Sequence, residues 1–413
     1  MGFTVSQVLE FVQENDVKFI RLAFCNLLGM QKNIAIMTQE LPRAFESGIC
    51  IDTSAAAGFV PGESHDILLF PDPDTLTILP WRPSQGRVVR MGCEMLYADG
   101  TPYPGDGRAL LHKAASRGLE LGYTCDIGCE CEFYLFQLDD AGAPTLIPHD
   151  QAGYCDMAPL DKGENVRREI CLALEDMGIT PESSHHERGP GQNEIVCRCA
   201  GALTAADQLV SLRTVCEVIA AHNGLSASFL PKPLPHKSGS SLHINLSLAQ
   251  NGANISRPDG EHSPETESFL AGILHHLREI TLFLNPLASS YERIGSDISR
   301  ALTWSHENRS QLVRIPSAAQ AHKRMELRSP DPSCNPYLAF ALLLEAGFDG
   351  LEQRRPLVRD LPGAKAPELP ADLGRAIELA GASELVRRVI PQAALAHYLA
   401  MKGEEFTRCK AGE

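Results

Sequence analysis

Alternating polar and apolar residues predict a strand in the segment Cys-Glu-Cys-Glu-Phe that begins at Cys129. Because successive side chains of a strand point to opposite faces, Glu130 and Glu132 lie on one face, opposite Cys131 and Phe133. Two neighbouring carboxylates repel each other, and burying them without a partner costs roughly several kcal/mol. This face is therefore either exposed to water or supplied with a cation or with arginines. The segment alone does not decide between the two.

Two later segments repeat this arrangement of polar groups on one face of a strand. In Ser241–Leu248, His243 and Asn245 belong to a polar set that alternates with leucine and isoleucine. In Arg324–Arg328, charged residues alternate with Met and Leu, and Glu326 stands between two arginines. A strand histidine can bind a metal or a phosphate, but a lone one is more often structural. The arginine–glutamate ladder can equally be a structural ion-pair ladder.

Helical periodicity and glycine stop signals predict several helices. Gly122 and Gly178 each follow a periodic segment and fit the end of a helix. A capping-box-like sequence at Thr204 predicts the start of another. The predicted helices cover residues 6–13, 108–121, 166–177, 204–224, 264–284 and 383–409, the last interrupted near Pro391.

The first hundred residues read mainly as strands and turns. They include a hairpin in which Asn26–Gly29 joins the strands Val17–Phe24 and Gln31–Met37. The turn-rich stretch Asp99–Asp106 separates them from a region of alternating helices and strands. We therefore predict an α+β fold, with a small N-terminal β-rich domain at residues 1–103 and a larger mixed domain at residues 104–413.

Composition and charge exclude several classes of protein. Acidic residues outnumber basic ones 52 to 37, a net charge of −15, which argues against a general nucleic-acid surface. The longest apolar run, near Leu338–Phe348, is too short to span a membrane, and no secretory signal is visible, so we expect a cytoplasmic protein without a membrane partner. The 13 cysteines are expected to be reduced thiols.

Two further segments concentrate carboxylates and arginines. In His185–Glu194, Glu187 and Glu194 flank a Gly-Pro-Gly bend that can fold both carboxylates toward one point, although a polar surface loop has the same composition. Five arginines occur within residues 293–328, namely Arg293, Arg309, Arg314, Arg324 and Arg328. Beside a carboxylate cluster, these arginines indicate a site for divalent cations and a phosphorylated, carboxylated ligand. Oxygen ligands with one imidazole favour Mg²⁺ or Mn²⁺ over Zn²⁺.

Several common catalytic signatures are missing from the sequence. There is no G-x-x-x-x-G-K-[ST] loop, which excludes a P-loop enzyme, and no G-x-G-x-x-G after a strand supports a dinucleotide site. Neither the G-x-S-x-G elbow nor H-E-x-x-H occurs. The candidate chemistry therefore rests on the carboxylate and arginine motifs.

The order of these motifs is more specific than any one of them. Along the chain they read E-x-E-F, H-H-E with G-Q-N-E, K-P with a small-residue loop and H-x-N-x-S-L, N-P with S-Y-x-R, N-R-S with R-I-P, and R-M-E-L-R-S-P-D with N-P-Y-L. This succession resembles the glutamine synthetase family from end to end. The segment Cys50-Ile-Asp52 near the N-terminus fits the same pattern.

The resemblance implies a fold and a reaction. The fold would be a β-grasp-like N-terminal domain followed by a catalytic domain with a curved antiparallel sheet and helices. The reaction would be ATP-dependent ligation of ammonia to the γ-carboxylate of glutamate through a γ-glutamyl phosphate, with Mg²⁺ or Mn²⁺ and two or more ions per site. Family assemblies imply a homo-oligomer, expected to be a dodecamer of two stacked hexameric rings.

The resemblance also implies a role for each matching residue. The metal ligands would be Glu132, Glu187 and Glu194 for one ion, and Glu130, His243 and Glu326 for the other. The substrate-binding residues would be Arg293, Arg328, His243 and the Gly239 backbone. The residues that contact ATP would be Arg309, Arg314, Arg324, Asn245, Ser247 and Glu182. The catalytic residues would be Asp52, which enters the site of a neighbouring subunit, Asp297 and Arg309.

The chain departs from the family pattern where the amine would bind. Ser238 and Ser241 stand where the family usually has asparagine and glycine. The loop after Arg293 is about two residues shorter than in the family, and Asp297 replaces the usual flap glutamate. A retained Asp52 favours ammonium as the amine, whereas the altered flap favours a γ-glutamyl ligase for an organic amine or polyamine. A catalytically silent structural relative is a third alternative.

Overall fold

Two β-sheets, formed one after the other along the chain, organise the molecule. The computed structural model describes residues 3–62, 65–255, 263–306, 308–316, 323–358 and 366–411. The elements up to residue 96 are α1 (Val5–Glu14), β1 (Val17–Cys25), β2 (Gln31–Met37), α2 (Leu41–Ser47), β3 (Ile49–Asp52), β4 (Asp66–Pro71), β5 (Thr77–Ile78) and β6 (Arg87–Leu96).

The first sheet runs in the order β2-β1-β6-β4-β3, with β5 paired to β6. The pair β1–β6 is parallel, whereas β1–β2, β4–β6 and β3–β4 are antiparallel. One face of the sheet packs on α1, which Thr4 caps through a reciprocal capping box with Gln7. Strand β3 lies at the edge of this sheet and ends at Asp52, so that this carboxylate is presented away from the sheet interior.

The remaining elements form a second, larger unit. They are α3 (Gly107–Glu120), β7 (Thr124–Leu138), β8 (Pro144–Pro148), α4 (Glu164–Asp176), β9 (Pro181–His186), β10 (Gln192–Gly201), α5 (Ala202–His222), β11 (Leu225–Ser228), β12 (Leu242–Gln250), β13 (Ala253–Asn254), α6 (Pro264–Leu284), α7 (Ala288–Ser296), β14 (Trp304–His306), β15 (Val313–Ile315), β16 (Met325–Leu327), α8 (Pro336–Glu352), α9 (Leu373–Ala382), α10 (Glu384–Val389) and α11 (Gln392–Ala411).

The second sheet runs β14-β15-β16-β12-β7-β10-β9 among the described residues, with β8 and β11 paired to β7 and β13 to β12. Apart from the parallel pair β14–β15, its pairs are antiparallel. The long central strand β7 therefore has β10 on one side and β12 on the other. This central position decides which side chains can meet.

Helices α3 and α5 pack on this sheet, α8 packs on both of them, and α6 packs on α8. Helix α6 begins at the signal Ser263-Pro264, in which the Ser263 hydroxyl accepts a hydrogen bond from the backbone N–H of Thr266. The two backbones approach so closely that a Cβ on Gly272 would lie 2.3 Å from the carbonyl oxygen of Ala346 and 2.7 Å from Cα of Gly350. Only glycine fits such a crossing, so this contact fixes the distance between the two helices.

Buried polar contacts join the N-terminal unit to the larger second unit. Arg108, at the start of α3, donates to Asp72 at 2.7 Å and to Asp207 at 3.0 Å. The side chain of Asn335, which caps α8, donates to the backbone carbonyl of Leu27 at 3.1 Å. An ion pair with little exposure is costly to break, so these contacts hold the N-terminal unit against α3, α5 and α8 of the larger unit.

The α+β class and the order of the units are confirmed. The hairpin of β1 and β2, helix α6 and the break before Gln392 lie where the sequence placed them. The predicted start of a helix at Thr204 is wrong, because α5 begins at Ala202, after Gly201, which makes no side-chain cap. Ala202 is buried in the core, so packing rather than a capping box fixes this first turn.

Two predictions from composition concern the thiols and the membrane. All 13 cysteines are free. In the part of the chain that the structure describes, no helix has both the length and the apolar character needed to cross a bilayer.

Candidate functional site

Strand register aligns the acidic side chains that the sequence singles out. Glu194 of β10 is paired with Glu132 of β7, and Glu130 of β7 is paired with His243 of β12. Strand β16, beside β12, supplies Glu326. We call these five residues the acidic row. A slip of one residue in any pairing would move a whole strand's side chains to the opposite face, so the register itself forms the row.

The first half of the acidic row consists of Glu130, His243 and Glu326. Nδ1 of His243 lies 3.0 Å from Oε2 of Glu130 and 3.6 Å from Oε1 of Glu326. One ligand atom from each residue lies within 4.8 Å of the others, as binding one metal ion requires. The side chain of Asn245 donates to Oε1 of Glu130 at 3.0 Å.

Opposite charges stabilise this half of the row. Burial alone would raise the pKa of Glu130, but the hydrogen bonds from His243 and Asn245 lower it to about 2. Arg314 donates to Oε2 of Glu326 at 2.7 Å, and Arg328 donates to the other oxygen of the same carboxylate. Two guanidinium groups therefore meet at this carboxylate and can also face an incoming phosphate.

The second half of the row, Glu132 and Glu194, adjoins Glu187 and His185, and together these residues contain more carboxylate than cation. Glu132, Glu194 and His243 form one group with metal-binding spacing, and His185, Glu187 and Glu194 form another. Nε2 of His185 lies 3.1 Å from Oε1 of Glu194, and its Nδ1 lies 3.5 Å from Oε1 of Glu187. His185 therefore bridges two of the predicted ligands.

The crowding of carboxylates around Glu132 indicates that these residues suit a cation. Burial, together with Glu187 and Glu194, raises the pKa of Glu132 to about 8, although His243 opposes this shift. Its Oε2 already accepts hydrogen bonds from the side chain of Gln192 and the backbone N–H of Ser241, each at 2.9 Å. Three crowded carboxylates with one imidazole between them are the donor set that Mg²⁺ or Mn²⁺ prefers.

A nearby cluster of Asp150, Asp161 and His186 also has metal-binding spacing but is already neutralised. Nε2 of His186 lies 2.9 Å from Oδ1 of Asp150. Asp161 forms a 2.5 Å ion pair with Arg167, whose guanidinium also donates to Asn193. Burial would raise the pKa of Asp150, but His186 and backbone N–H groups hold it well below its usual value. This cluster supports the loop before β10 without needing a cation.

A cavity of about 1040 Å³ adjoins the first half of the acidic row. Its size suits a nucleotide. It brings together Glu130 and four of the predicted nucleotide residues, which are Glu182, Asn245, Ser247 and Arg324. Nε of Arg324 donates to Oδ1 of Asn245 at 3.0 Å, and the hydroxyl of Ser247 donates to the carbonyl of Lys323 at 3.1 Å.

The small-residue loop, Ser238–Ser241, lies beside the second half of the row. The carbonyl of Gly239 accepts a hydrogen bond from Gln192 at 3.1 Å. Arg293 lies directly beneath this loop and has no exposed surface. Its Nη1 donates to the hydroxyl of Ser241 at 2.9 Å, and its Nη2 donates to backbone carbonyls, including that of Pro330 at 2.9 Å.

Three predicted catalytic residues lie at different distances from this centre. Asp297 reaches the small-residue loop, where it accepts a hydrogen bond from the N–H of Gly239 at 2.8 Å. Arg309 is exposed in the turn between β14 and β15. Asp52 is exposed at the edge of the first sheet, where it accepts a hydrogen bond from the N–H of Ser54 at 2.8 Å. The single chain therefore does not bring Asp52 to the acidic row.

Sequence reasoning missed three residues of the site. Gln192 joins Glu132 to Gly239, and His185 joins Glu187 to Glu194. Tyr154 packs its ring against the edge of His185, with ring centroids 5.3 Å apart. Gln192 and His185 belong to the motifs G-Q-N-E and H-H-E, but the sequence assigned them no role. The pairing of β10 with β7 and β9 is what brings them to the carboxylates. Tyr154 lies in an irregular segment that no periodicity identifies.

Comparisons with known proteins agree along the chain. Residues 16–98 match the family model "Glutamine synthetase, beta-Grasp domain" and residues 104–412 match "Glutamine synthetase, catalytic domain". The chain is 39% identical to glutamine synthetase of Clostridium saccharobutylicum (98% of this chain, 95% of that one) and 41% identical to that of Methanosarcina mazei (99% and 95%).

Solved structures show the same similarity. One described as "GmaS/ADP complex-Conformation 1" has a TM-score of 0.88 at 30% identity, covering 98% of this chain and 96% of that one. The cryo-EM structure of Plasmodium falciparum glutamine synthetase has a TM-score of 0.90 at 22% identity, covering 100% and 97%, which supports the fold alone.

Replacing Glu326 by alanine is expected to remove one Mn²⁺ from the acidic row and to abolish phosphoryl transfer. The substitution deletes a carboxylate that lies within reach of both His243 and two arginines, and loss of a direct ligand should cost at least about 100-fold in affinity for that ion. Electron paramagnetic resonance titration of bound Mn²⁺ measures this loss. Glu10→Ala, on the exposed face of α1, is the matched control. Unchanged Mn²⁺ stoichiometry and affinity in Glu326→Ala would contradict the assignment.

Proposed function

Because the chain belongs to the glutamine synthetase family, we propose that it joins ammonium to the γ-carboxylate of glutamate through a γ-glutamyl phosphate formed from ATP. As a family member it is an ATP-dependent ligase. The observation that carries the proposal is the position of two neighbouring carboxylates. Glu130 lines the large cavity, whereas Glu132 contacts the small-residue loop at Ser241. The phosphate donor and the acceptor carboxylate would then meet over adjacent positions of one strand.

ATP is assigned to the 1040 Å³ cavity. Its base and sugar would lie near Asn245, Ser247 and Glu182, and its phosphates would extend toward Glu130 and the arginines. The solved GmaS complex with ADP, which shares this fold, supports a nucleotide site. Arg314 is already held against Glu326, so its position is fixed before the phosphates arrive.

Divalent ions are assigned to both halves of the acidic row. Glu130, His243 and Glu326 would hold the ion on the ATP side, and Glu132, Glu187 and Glu194 the ion on the glutamate side. When bound, such ions neutralise charge on the transferring phosphoryl group. Arg309, Arg314 and Arg324 add positive charge on the same side, where negative charge grows during transfer.

Glutamate is assigned to the second half of the row. Arg328 keeps 18% of its side chain exposed and is therefore the arginine available to the substrate carboxylate. Arg293, with no exposed surface, would act through Ser241, whose hydroxyl it contacts. The Gly239 backbone and His243 would complete the contacts that orient the γ-carboxylate toward ATP.

The amine step is assigned to Asp52 of a neighbouring subunit. A carboxylate at the amine pocket both attracts ammonium and accepts a proton from it, which leaves a neutral nucleophile. The edge position of Asp52, away from its own acidic row, fits this arrangement. We therefore propose a homo-oligomer, as a dodecamer of two hexameric rings, in which residues 1–103 of one chain complete the site of the next. A cytoplasmic location stays a prediction of the sequence.

A γ-glutamyl ligase for an organic amine is the second candidate. Both carboxylate oxygens of Asp297 are occupied by Lys232, at 2.8 and 3.0 Å. The amine pocket then lacks a free flap carboxylate, which weakens its preference for a small cation. This observation favours a substituted amine, whereas Asp52 favours ammonium.

An ADP-release assay with Mg²⁺, glutamate and either ammonium or a panel of methylamine, ethylamine and polyamines separates the candidates. We expect ammonium-dependent turnover with a KM in the micromolar to millimolar range usual for enzymes. Turnover with an organic amine alone would support the second candidate. No ADP from a folded oligomer under any condition would contradict both.

Asp52→Ala is expected to slow the ammonium step by about 10²–10⁴-fold while sparing γ-glutamyl phosphate formation. Hydroxylamine, which is largely neutral near neutral pH, needs no base and should still trap the acyl phosphate as the hydroxamate. The ratio of ammonium-dependent to hydroxylamine-dependent turnover measures the effect. Asp99→Ala, in an exposed turn, is the charge-matched control. Equal loss of both activities would refute this role.

A further inference from the structure

A nearly buried lysine, the lysine of the K-P motif, anchors the end of α7. The side chain of Lys232 is 8% exposed. Its ammonium group donates to both oxygens of Asp297, at 2.8 and 3.0 Å, to the hydroxyl of Ser296 at 3.0 Å and to the carbonyl of Lys237 at 2.7 Å. Ser296 and Asp297 lie 64 and 65 residues further along the chain than Lys232. The contact therefore ties the loop after β11 to the last turn of α7.

Donors surround both oxygens of Asp297. Oδ1 accepts a hydrogen bond from Lys232 at 3.0 Å and lies 3.0 Å from the hydroxyl of Ser296, whose single proton can instead go to the carbonyl of Glu292 at 3.0 Å. Oδ2 accepts from Lys232 and from the backbone N–H of Gly239, each at 2.8 Å. An ionised carboxylate offers about four acceptor sites, and Lys232 and Gly239 fill three of them. A proton from the amine would therefore compete with donors that are already in place.

The same contacts determine where the small-residue loop lies. Gly239 donates to Asp297 through its N–H and accepts from Gln192 through its carbonyl. A Cβ on Gly239 would lie 2.6 Å from Cγ of Arg293, so the loop rests directly on that side chain. Arg293 lies in the last turn of α7, and its carbonyl accepts the N–H of the C-cap residue Asp297 at 2.8 Å. Loop and arginine are thus held by one set of bonds.

We propose that Lys232 and Asp297 form a clamp that positions the small-residue loop and Arg293 for the amino acid substrate. This inference rests on the proposed function, because glutamate is the ligand that the loop would hold. In the clamp, Lys232 is a positioning residue that acts through Asp297 and Gly239. Asp297 has the same role, which replaces the catalytic role that the sequence predicts for it. Proton transfer from the amine then depends on Asp52 without help from the flap.

The clamp makes a specific prediction about kinetic constants. Lys232→Met and Asp297→Asn should each raise the KM for glutamate by about 10–100-fold, the effect of losing charge-assisted hydrogen bonds that order the loop. The KM for ATP and the ratio of ammonium-dependent to hydroxylamine-dependent turnover should stay unchanged. Because both residues act as one unit, the double variant should be no worse than either single one. Lys237→Met, the same change at an exposed position of this loop, is the control.

Hydrogen exchange gives a second measurement that needs no catalytic activity. In the folded oligomer, Lys232→Met should speed amide exchange across residues 231–241, and Lys237→Met should not. Wild-type exchange rates in Lys232→Met would overturn the clamp even if the enzyme proved to use another substrate. Additive effects in the double variant would also overturn it. So would an Asp297→Asn enzyme that keeps its KM for glutamate but loses ammonium-dependent turnover selectively, because that pattern identifies Asp297 as the base.

Discussion

Two carboxylates held one residue apart on a largely buried strand face are the constraint on which the site depends. Glu130 and Glu132 share a face of β7 because strand side chains alternate, and the register of the neighbouring strands gives each a different partner. Glu130 faces His243, whose hydrogen bond lowers the pKa of Glu130, whereas Glu132 faces a second carboxylate, Glu194, and burial and the neighbouring carboxylates raise its pKa. This difference divides the acidic row into two halves, and the large cavity and the small-residue loop adjoin different halves.

The rest of the fold holds this row in place. Helices α3 and α5 pack on the sheet and are backed by the close crossing of α6 and α8. The ion pairs of Arg108 fix the N-terminal unit against α3 and α5. The arginines of the site are also held in place, by contacts with their immediate neighbours. Arg314 and Arg328 are bonded to Glu326, and Arg293 is covered by the loop that it supports. Positive charge is therefore positioned before any ligand binds, which is the electrostatic preorganisation that phosphoryl transfer requires.

Local patterns in the sequence predicted the structural features that depend only on residues close together along the chain. Alternation predicted the shared face of Glu130 and Glu132, and helical periodicity predicted α6 over residues 264–284. Contacts between distant segments could not be predicted in this way. The bridge made by His185 depends on the pairing of β9 with β10, and the occupation of Asp297 depends on a lysine 65 residues away. The start of α5 was misplaced because burial of Ala202 outweighed the capping signal.

We propose that one strand, β7, serves two adjacent ions, one on each half of the acidic row. Anomalous diffraction at the manganese edge, from crystals of the oligomer grown with Mn²⁺, would locate these ions. Two peaks per chain are expected, one among Glu130, His243 and Glu326 and one at Glu132, Glu187 and Glu194. A row without peaks, or a peak at Asp150 and His186 instead, would contradict it.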